Sequence, residues 1–318
     1  MMTEIESAGA SKGMPEGPER PAGWKSTRSA LLTASAFLAA FALAALMIAP
    51  FFWLASTAVK APSEVFRMPP ALIPSEWMWG NFIKVWTTFH FSRYYLNSII
   101  VTVCVVAGQV VTSAMAAYAF ARLEFPGRDK LFLCYLATLM VPGAVTMIPL
   151  FIIMKFMGMI WTGNFYLFGK YFMGAPLGLN SYFALIIPGC FSAYGTFLLR
   201  QFFMGIPKEL EESVKIDGGG HRTIFSRIIL PLSGPGITTL AIFTMLGSWR
   251  DFIWPLIMVN QDEMRTLPIG LSSFQGIYFS DWPLLMAAAL LIMAPLVVIF
   301  FFAQRFFVEG IKLQGIKG

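Results

Sequence analysis

The sequence predicts an all-α integral membrane protein with six transmembrane helices and a helix-turn-helix standing off the cytoplasmic face. Three observations carry this. The chain has 318 residues, 57% of them hydrophobic and only 13% charged. A soluble core of that size cannot hide so much apolar surface, so lipid must solvate much of it. Six apolar stretches reach or approach the roughly 20 residues a helix needs to cross a bilayer. Lys and Arg are also unevenly shared between the loops that join them.

Residues 1–30 are rich in Gly, Pro, Ser and Glu with little to bury, and read as a disordered cytoplasmic leader. The first span, 31–54, is too long for a signal-peptide core and lacks a small-residue cleavage site after it, so it is expected to remain. The others are 96–121, 131–154, 182–203, 236–259 and 284–303. The transmembrane domain then covers 31–306, including a loop at 205–232, and 307–318 form a cytoplasmic tail. Pro142, Pro149, Pro188 and Pro255 fall within spans, where neighbouring helices can absorb a kink. Cys104, Cys134 and Cys190 also lie within spans without metal-ligand spacing, and read as small core residues.

Orientation follows from charge, because loops rich in Lys and Arg stay cytoplasmic. With the N-terminus inside, fifteen basic residues fall on the inner side and seven on the outer: Lys60, Arg67, Lys84, Arg93, Lys155, Lys170 and Arg265. Both termini and the 205–232 loop are therefore placed in the cytoplasm. Topology accounts for the net charge of +6, and nucleic acid need not be invoked.

The 205–232 loop is the one long charged segment between spans in the second half. Pro207 suits the first turn of a helix, and Glu209, Glu211 and Glu212 sit where a helix N-terminus favours negative charge, with Lys215 toward the other end. Ile206, Leu210 and Val214 fall four apart on one face. Asp217, Gly218, Gly219 and Gly220 form a breaker permitting a sharp reversal. A second short helix follows, with an apolar stripe of Ile224, Phe225, Ile228 and Ile229, ended by Pro231. On periodicity alone this is equally an amphipathic loop lying on the bilayer.

The spacing adds more. Glu212 is followed by the small residues Ser213 and Val214, then by Gly218, and the segment closes on Ile228, Leu230 and Pro231. This resembles the EAA loop of ABC importer permeases, with Ser213 and Val214 in place of the usual paired alanines. The resemblance implies that the first helix seats in a cleft of a separate ATPase, with Glu212 pairing a basic residue there and Gly218 as the hinge. Glu209 and Asp217 belong to the same surface.

Other fragments look like the carbohydrate-importing branch, close to the six-span subunit of the maltose permease. They include Asn97-Ser98, the run 117–122, Val141-Pro142, Met147-Ile148-Pro149, and the segments 178–188 and 197–203. The C-terminal run from Gln304 resembles a glycine-punctuated tail that reaches into the ATPase dimer, which assigns Gly310, Gly315 and Lys317 as tail contacts. Two departures stand out. Residues 159–177 are extra relative to the pattern and rich in Trp, Tyr and Phe, which reads as a helix on the outer leaflet or as a lip touching a binding protein or partner permease. Arg250 stands where the family commonly has Asn. Arg250 and Asp251 form either a structural ion pair within the spans, or a solute path in which Arg250 favours an anionic sugar and Trp249 and Trp254 stack on pyranose faces.

The implied function is the permease subunit of an ATP-driven, binding-protein-dependent importer in a bacterial cytoplasmic (inner) membrane. Its solute would be a sugar or oligosaccharide, with glycerol phosphate as an alternative. The partners implied are a second permease subunit of six or more spans, an ATPase dimer, an external solute-binding protein and lipid. The chain has no G-x-x-x-x-G-K-[ST] sequence to cradle phosphates, so ATP and magnesium are expected on the ATPase and no cofactor, metal or catalytic residue here. A membrane-embedded enzyme would need a titratable cluster that the spans lack. An ion-gradient transporter would be favoured by inverted repeats, which are not evident.

Overall fold

The computed structural model describes residues 22–87, 90–160, 165–167, 170–172, 177–272, 274 and 281–315. It divides into two units, Met1–Trp53 and Leu54–Gly318. The first unit is the apolar part of helix α1, Ala22–Ala58, whose Leu31, Phe37, Phe41 and Leu46 are exposed. This helix includes residues 22–30 of the stretch assigned to the leader, and its part apolar enough to cross a membrane is Ala30–Ala58. Pro21 just ahead of it suits a helix start.

The second unit contains α2 (Gly80–Thr87), α3 (Phe91–Arg122), α4 (Arg128–Ala137) and α5 (Gly143–Ile160). After them come α6 (Tyr182–Ile186), α7 (Ala193–Met204), α8 (Glu209–Ile216), α9 (His221–Ile224) and α10 (Leu230–Leu232). The last four are α11 (Gly234–Arg250), α12 (Ile253–Met258), α13 (Leu267–Ser272) and α14 (Trp282–Gly315). Among the described residues, four stretches are long and apolar enough to cross a membrane: Ala30–Ala58, Phe91–Arg122, Tyr182–Met204 and Trp282–Phe302. Two bent pairs bring the number to as many as six. Arg128–Met140 meets Gly143–Met159 at 99°, and His221–Leu232 meets Gly234–Arg250 at 74°.

Two of the expected spans are corrected. The third breaks at Val141-Pro142, because the ring of Pro142 pushes Val141 into extended backbone. The fifth stops at Arg250 rather than Val259. There Asp251 turns extended, and its Oδ1 accepts the Trp254 N–H at 3.2 Å to start α12. The aromatic insertion is corrected as well: α5 runs to Ile160, and Phe165–Leu167 then pairs antiparallel with Lys170–Phe172 instead of forming a helix. Aromatic residues such as Phe165, Tyr166, Tyr171 and Phe172 are favoured in strands. Of the cysteines only Cys190 is buried; Cys104 and Cys134 face outward.

Three buried clusters hold the second unit together. One joins Phe91 and Tyr94 of α3 to Trp249, Leu267 and Ala287. A second joins Val101 and Val105 to Met154, Leu185 and Met258. The third gathers Ala117 and Tyr118 with Leu199, Phe203, Ile224, Ile229 and Leu240. Helix α3 takes part in all three and is the spine of the bundle.

Near its start, α3 is locked to the loops. The Asn97 Nδ2 donates to the carbonyls of Glu263 (2.9 Å) and Arg265 (2.8 Å), and its Oδ1 accepts from the Tyr182 hydroxyl at 2.6 Å. Ser98 Oγ accepts the Leu267 N–H at 2.8 Å. Asn97 is 1% exposed, and each buried polar group left without a partner costs about 1–3 kcal/mol. An Asn97→Ala variant in detergent is expected to unfold at a clearly lower temperature than wild type. An unchanged midpoint would dismiss this lock.

Candidate functional site

The helix-turn-helix expected at 205–232 is present. Its first arm is α8, with Glu209, Glu211 and Glu212 in the first turn and Lys215 in the last. Pro207 lies just ahead of the helix, before the cap at Lys208. The arm ends in a Schellman closure, in which the Gly219 N–H reaches Val214 O (2.8 Å) and the Gly218 N–H reaches Lys215 O (3.0 Å). Gly218 has φ +79°, a conformation that side-chain-bearing residues rarely adopt. The hinge assigned to Gly218 thus coincides with a left-handed turn. Gly219, expected only as part of the breaker, has a steric role of its own: a Cβ there would lie 2.5 Å from Val214 Cγ1 and 2.9 Å from Val214 O.

The second arm is longer than expected. From α9 the chain passes through one wide turn, Phe225–Ile229, in which the Leu230 N–H reaches Phe225 O, and continues through Pro231 to Leu232. Pro231 does not end the helix. The widened turn relieves the clash that its ring would make with the carbonyl four residues back in a regular helix.

The two arms have an inner and an outer face. Ile224 and Ile229 are fully buried, and Ile206, Val214, Phe225 and Leu230 pack around them. Glu209, Glu212, Ser213, Asp217 and Pro231 are exposed, as are Leu210 (40%) and Ile216 (86%), while Ile228 is half-buried. Leu210 therefore leaves the apolar face that its spacing assigned to it.

Sequence reasoning missed what fixes this element to the bundle. Glu211, not Glu212, is the buried acid: its Oε1 lies 2.9 Å from Arg122 Nε, with the two side chains 10% and 3% exposed. Arg122 Nη2 also donates to the carbonyls of Phe203 and Ile206. Tyr118 Oη lies 3.2 Å from His221 Nδ1 and 3.3 Å from its carbonyl oxygen, which ties His221 to α3. Arg122 had counted as a cytoplasmic charge and as the end of the 117–122 run, and Glu211 only as a helix-start acid. Each was visible, but their pairing across 89 positions was not.

The residues assigned to a solute path separate. Trp249 is buried, donates its Nε1–H to Ile292 O (3.0 Å) and meets Tyr95 edge-on, so it packs and does not line a path. Arg250 is exposed and its Nε donates to Leu246 O; among the described residues it forms no ion pair with Asp251. Asp251 and Trp254 line a cavity of about 350 Å³ together with Ser98, Gln109, Thr244 and Ser248. They also line an adjoining hollow of about 690 Å³, where Arg250 lies. The indole of Trp254 is held by its Nε1–H to Ala184 O bond at 3.0 Å. In the C-terminal segment Gly310 and Gly315 continue α14 rather than breaking it, and Lys317 lies outside the described residues.

The family model described as "Binding-protein-dependent transport system inner membrane component" matches residues 109–313. The arabinooligosaccharides transport system permease protein AraQ of Halalkalibacterium halodurans is 33% identical over 286 residues, covering 89% of this chain and 93% of that protein. The sn-glycerol-3-phosphate transport system permease protein UgpE of Pectobacterium atrosepticum is 32% identical, covering 78% of this chain and 84% of its own length. Among solved structures, a bacterial ABC transporter involved in the import of the acidic polysaccharide alginate aligns with a TM-score of 0.73 at 19% identity, over 92% of this chain and 100% of that one.

Proposed function

The chain belongs to the family of binding-protein-dependent transport system inner membrane components, and on that premise we propose that it is one permease subunit of an ATP-driven sugar importer. An external binding protein delivers the solute, a second permease chain completes the path, and a separate ATPase dimer holds ATP and magnesium. The termini and the helix-turn-helix lie on the cytoplasmic side, where the ATPase docks.

The observation that carries this reading is the two-faced helix-turn-helix. Its inner face is buried in the bundle through Ile224, Ile229 and Glu211, while its outer face presents Glu209, Glu212, Leu210 and Ile216. Acidic groups around exposed apolar side chains suit a cleft with a basic residue at its rim, where charge fixes orientation and the apolar contact supplies affinity. A loop resting on lipid would instead turn one broad apolar face to the membrane and its charges away from it.

Sugar is the favoured cargo because permeases of sugar-importing systems are among the chain's relatives. Glycerol phosphate stands as the second reading, since a relative of nearly equal identity serves that solute. The test is a tagged purification in mild detergent. Wild type is expected to bring down an ATPase and a second permease chain, and Glu212→Ala to lower ATPase recovery at least tenfold while keeping the second permease. Wild-type preparations free of ATPase in several detergents would end the reading.

A further inference from the structure

We infer that the 350 Å³ cavity between α3, α11 and α12 is a solute-binding site of this subunit, shaped for one neutral, hydroxyl-rich ring. The inference rests on the sugar-import reading and narrows it. The cavity lies beside the middle of α3, where Val101, Val105 and Gln109 reach its wall, and on the last turns of α11. Its volume is at the lower end of the roughly 300–1,000 Å³ usual for small-molecule sites, room for a ring and not for a chain of them.

The lining has the chemistry a sugar needs. Gln109 brings an amide, Ser98 and Ser248 bring hydroxyls that also bond the Leu267 N–H and Thr102 Oγ1, and Trp254 supplies a flat apolar wall fixed by its bond to Ala184. The Thr244 and Thr266 hydroxyls, both on lining residues, have no partner among the described protein groups. Asp251 is the only charged residue among those described in the lining. A carboxylate accepts strong hydrogen bonds from sugar hydroxyls. It repels a uronate or a phosphate, which would find no cation on this wall to offset it. Arg250 lines the adjoining hollow and not this cavity, so the anionic-sugar role considered for it does not extend here.

Gly247 offers the means to test this. It lines the cavity, and a Cβ built on it meets nothing within 4 Å, so a larger side chain enters open space rather than packed protein. Leucine is also a better helix former than glycine. The complete complex would be reconstituted in proteoliposomes with its binding protein. Uptake would be followed for a panel of neutral pentoses and hexoses with their oligosaccharides, a uronate and glycerol 3-phosphate. Gly247→Leu is expected to lower neutral-sugar uptake at least tenfold, with co-elution of all subunits as the check on assembly and the outward-facing Val103→Leu as the control. Asp251→Asn, which keeps the cap on α12, is expected to reduce discrimination against the anionic solutes at least fivefold. Wild-type uptake of a neutral sugar that Gly247→Leu leaves unchanged in rate and KM would overturn the site alone. Wild-type preference for the uronate or glycerol 3-phosphate would overturn its neutral specificity. Failure of wild type to take up any member of the panel would overturn the sugar-import reading and this inference with it.

Discussion

A transporter carrying Arg122→Ala is expected to lose nearly all ATP-driven uptake although the chain still enters the membrane. Arg122 closes α3, and its side chain binds three groups of the following segments: the Glu211 carboxylate and the carbonyls of Phe203 and Ile206. Both charges are almost wholly shielded, so removing one strands the other in a poorly solvated site at about 3–5 kcal/mol. That corresponds to a shift of on the order of a hundredfold or more in the equilibrium that keeps α8 seated. The paired replacement Arg122→Met with Glu211→Leu removes both charges together and is expected to recover much of the fold, because apolar substitutes for a buried pair are commonly tolerated. Uptake and subunit recovery would be compared across Arg122→Ala, Glu211→Ala and the pair. Single variants as active as wild type would show that the ion pair does not hold the arm.

The second large effect is expected at the turn. Gly218→Val places a β-branched residue at φ +79°, where the left-handed conformation costs an ordinary residue about 1–2 kcal/mol and a β-branched one more. Gly219→Val drives a side chain into Val214, whose Cγ1 and carbonyl oxygen already lie within 3 Å of the position a Cβ would take. The double variant is expected to unseat the end of α8 and abolish ATPase recovery. Gly218→Asn is expected to be mild, since asparagine tolerates this conformation. Equal recovery from Gly218→Asn and the double Val variant would mean that the turn geometry does not matter for docking.

Much of this was legible in the sequence because its signals are local. Apolar runs mark helices regardless of what surrounds them, and the acidic start, central glycines and apolar stripe at 206–231 announce a helical hairpin. Boundaries failed where a longer-range requirement intervened. Asp251 ends α11 because it caps α12, which the hydropathy of 236–259 conceals. Pro231 is bypassed through a wide turn, a backbone adjustment with no composition of its own. The candidate path misassigned Trp249 for a similar reason, since a tryptophan that stacks on a ligand and one that packs against Tyr95 and Ile292 have the same local context. The pairing of Arg122 with Glu211 depends on α3, α7 and α8 meeting at one end of the bundle, which only the tertiary arrangement reveals.

Helix α3 has 32 residues, about 48 Å at 1.5 Å per residue. Asn97 and Ser98 tie one end to the 263–267 loop, and Tyr118 and Arg122 tie the other to the helical hairpin. Such a rod is stiff along its axis, and it can tilt or slide far more readily than it can lengthen. A displacement of the hairpin is therefore expected to reach the 263–267 loop as a tilt or slide of the whole rod rather than to be absorbed along it.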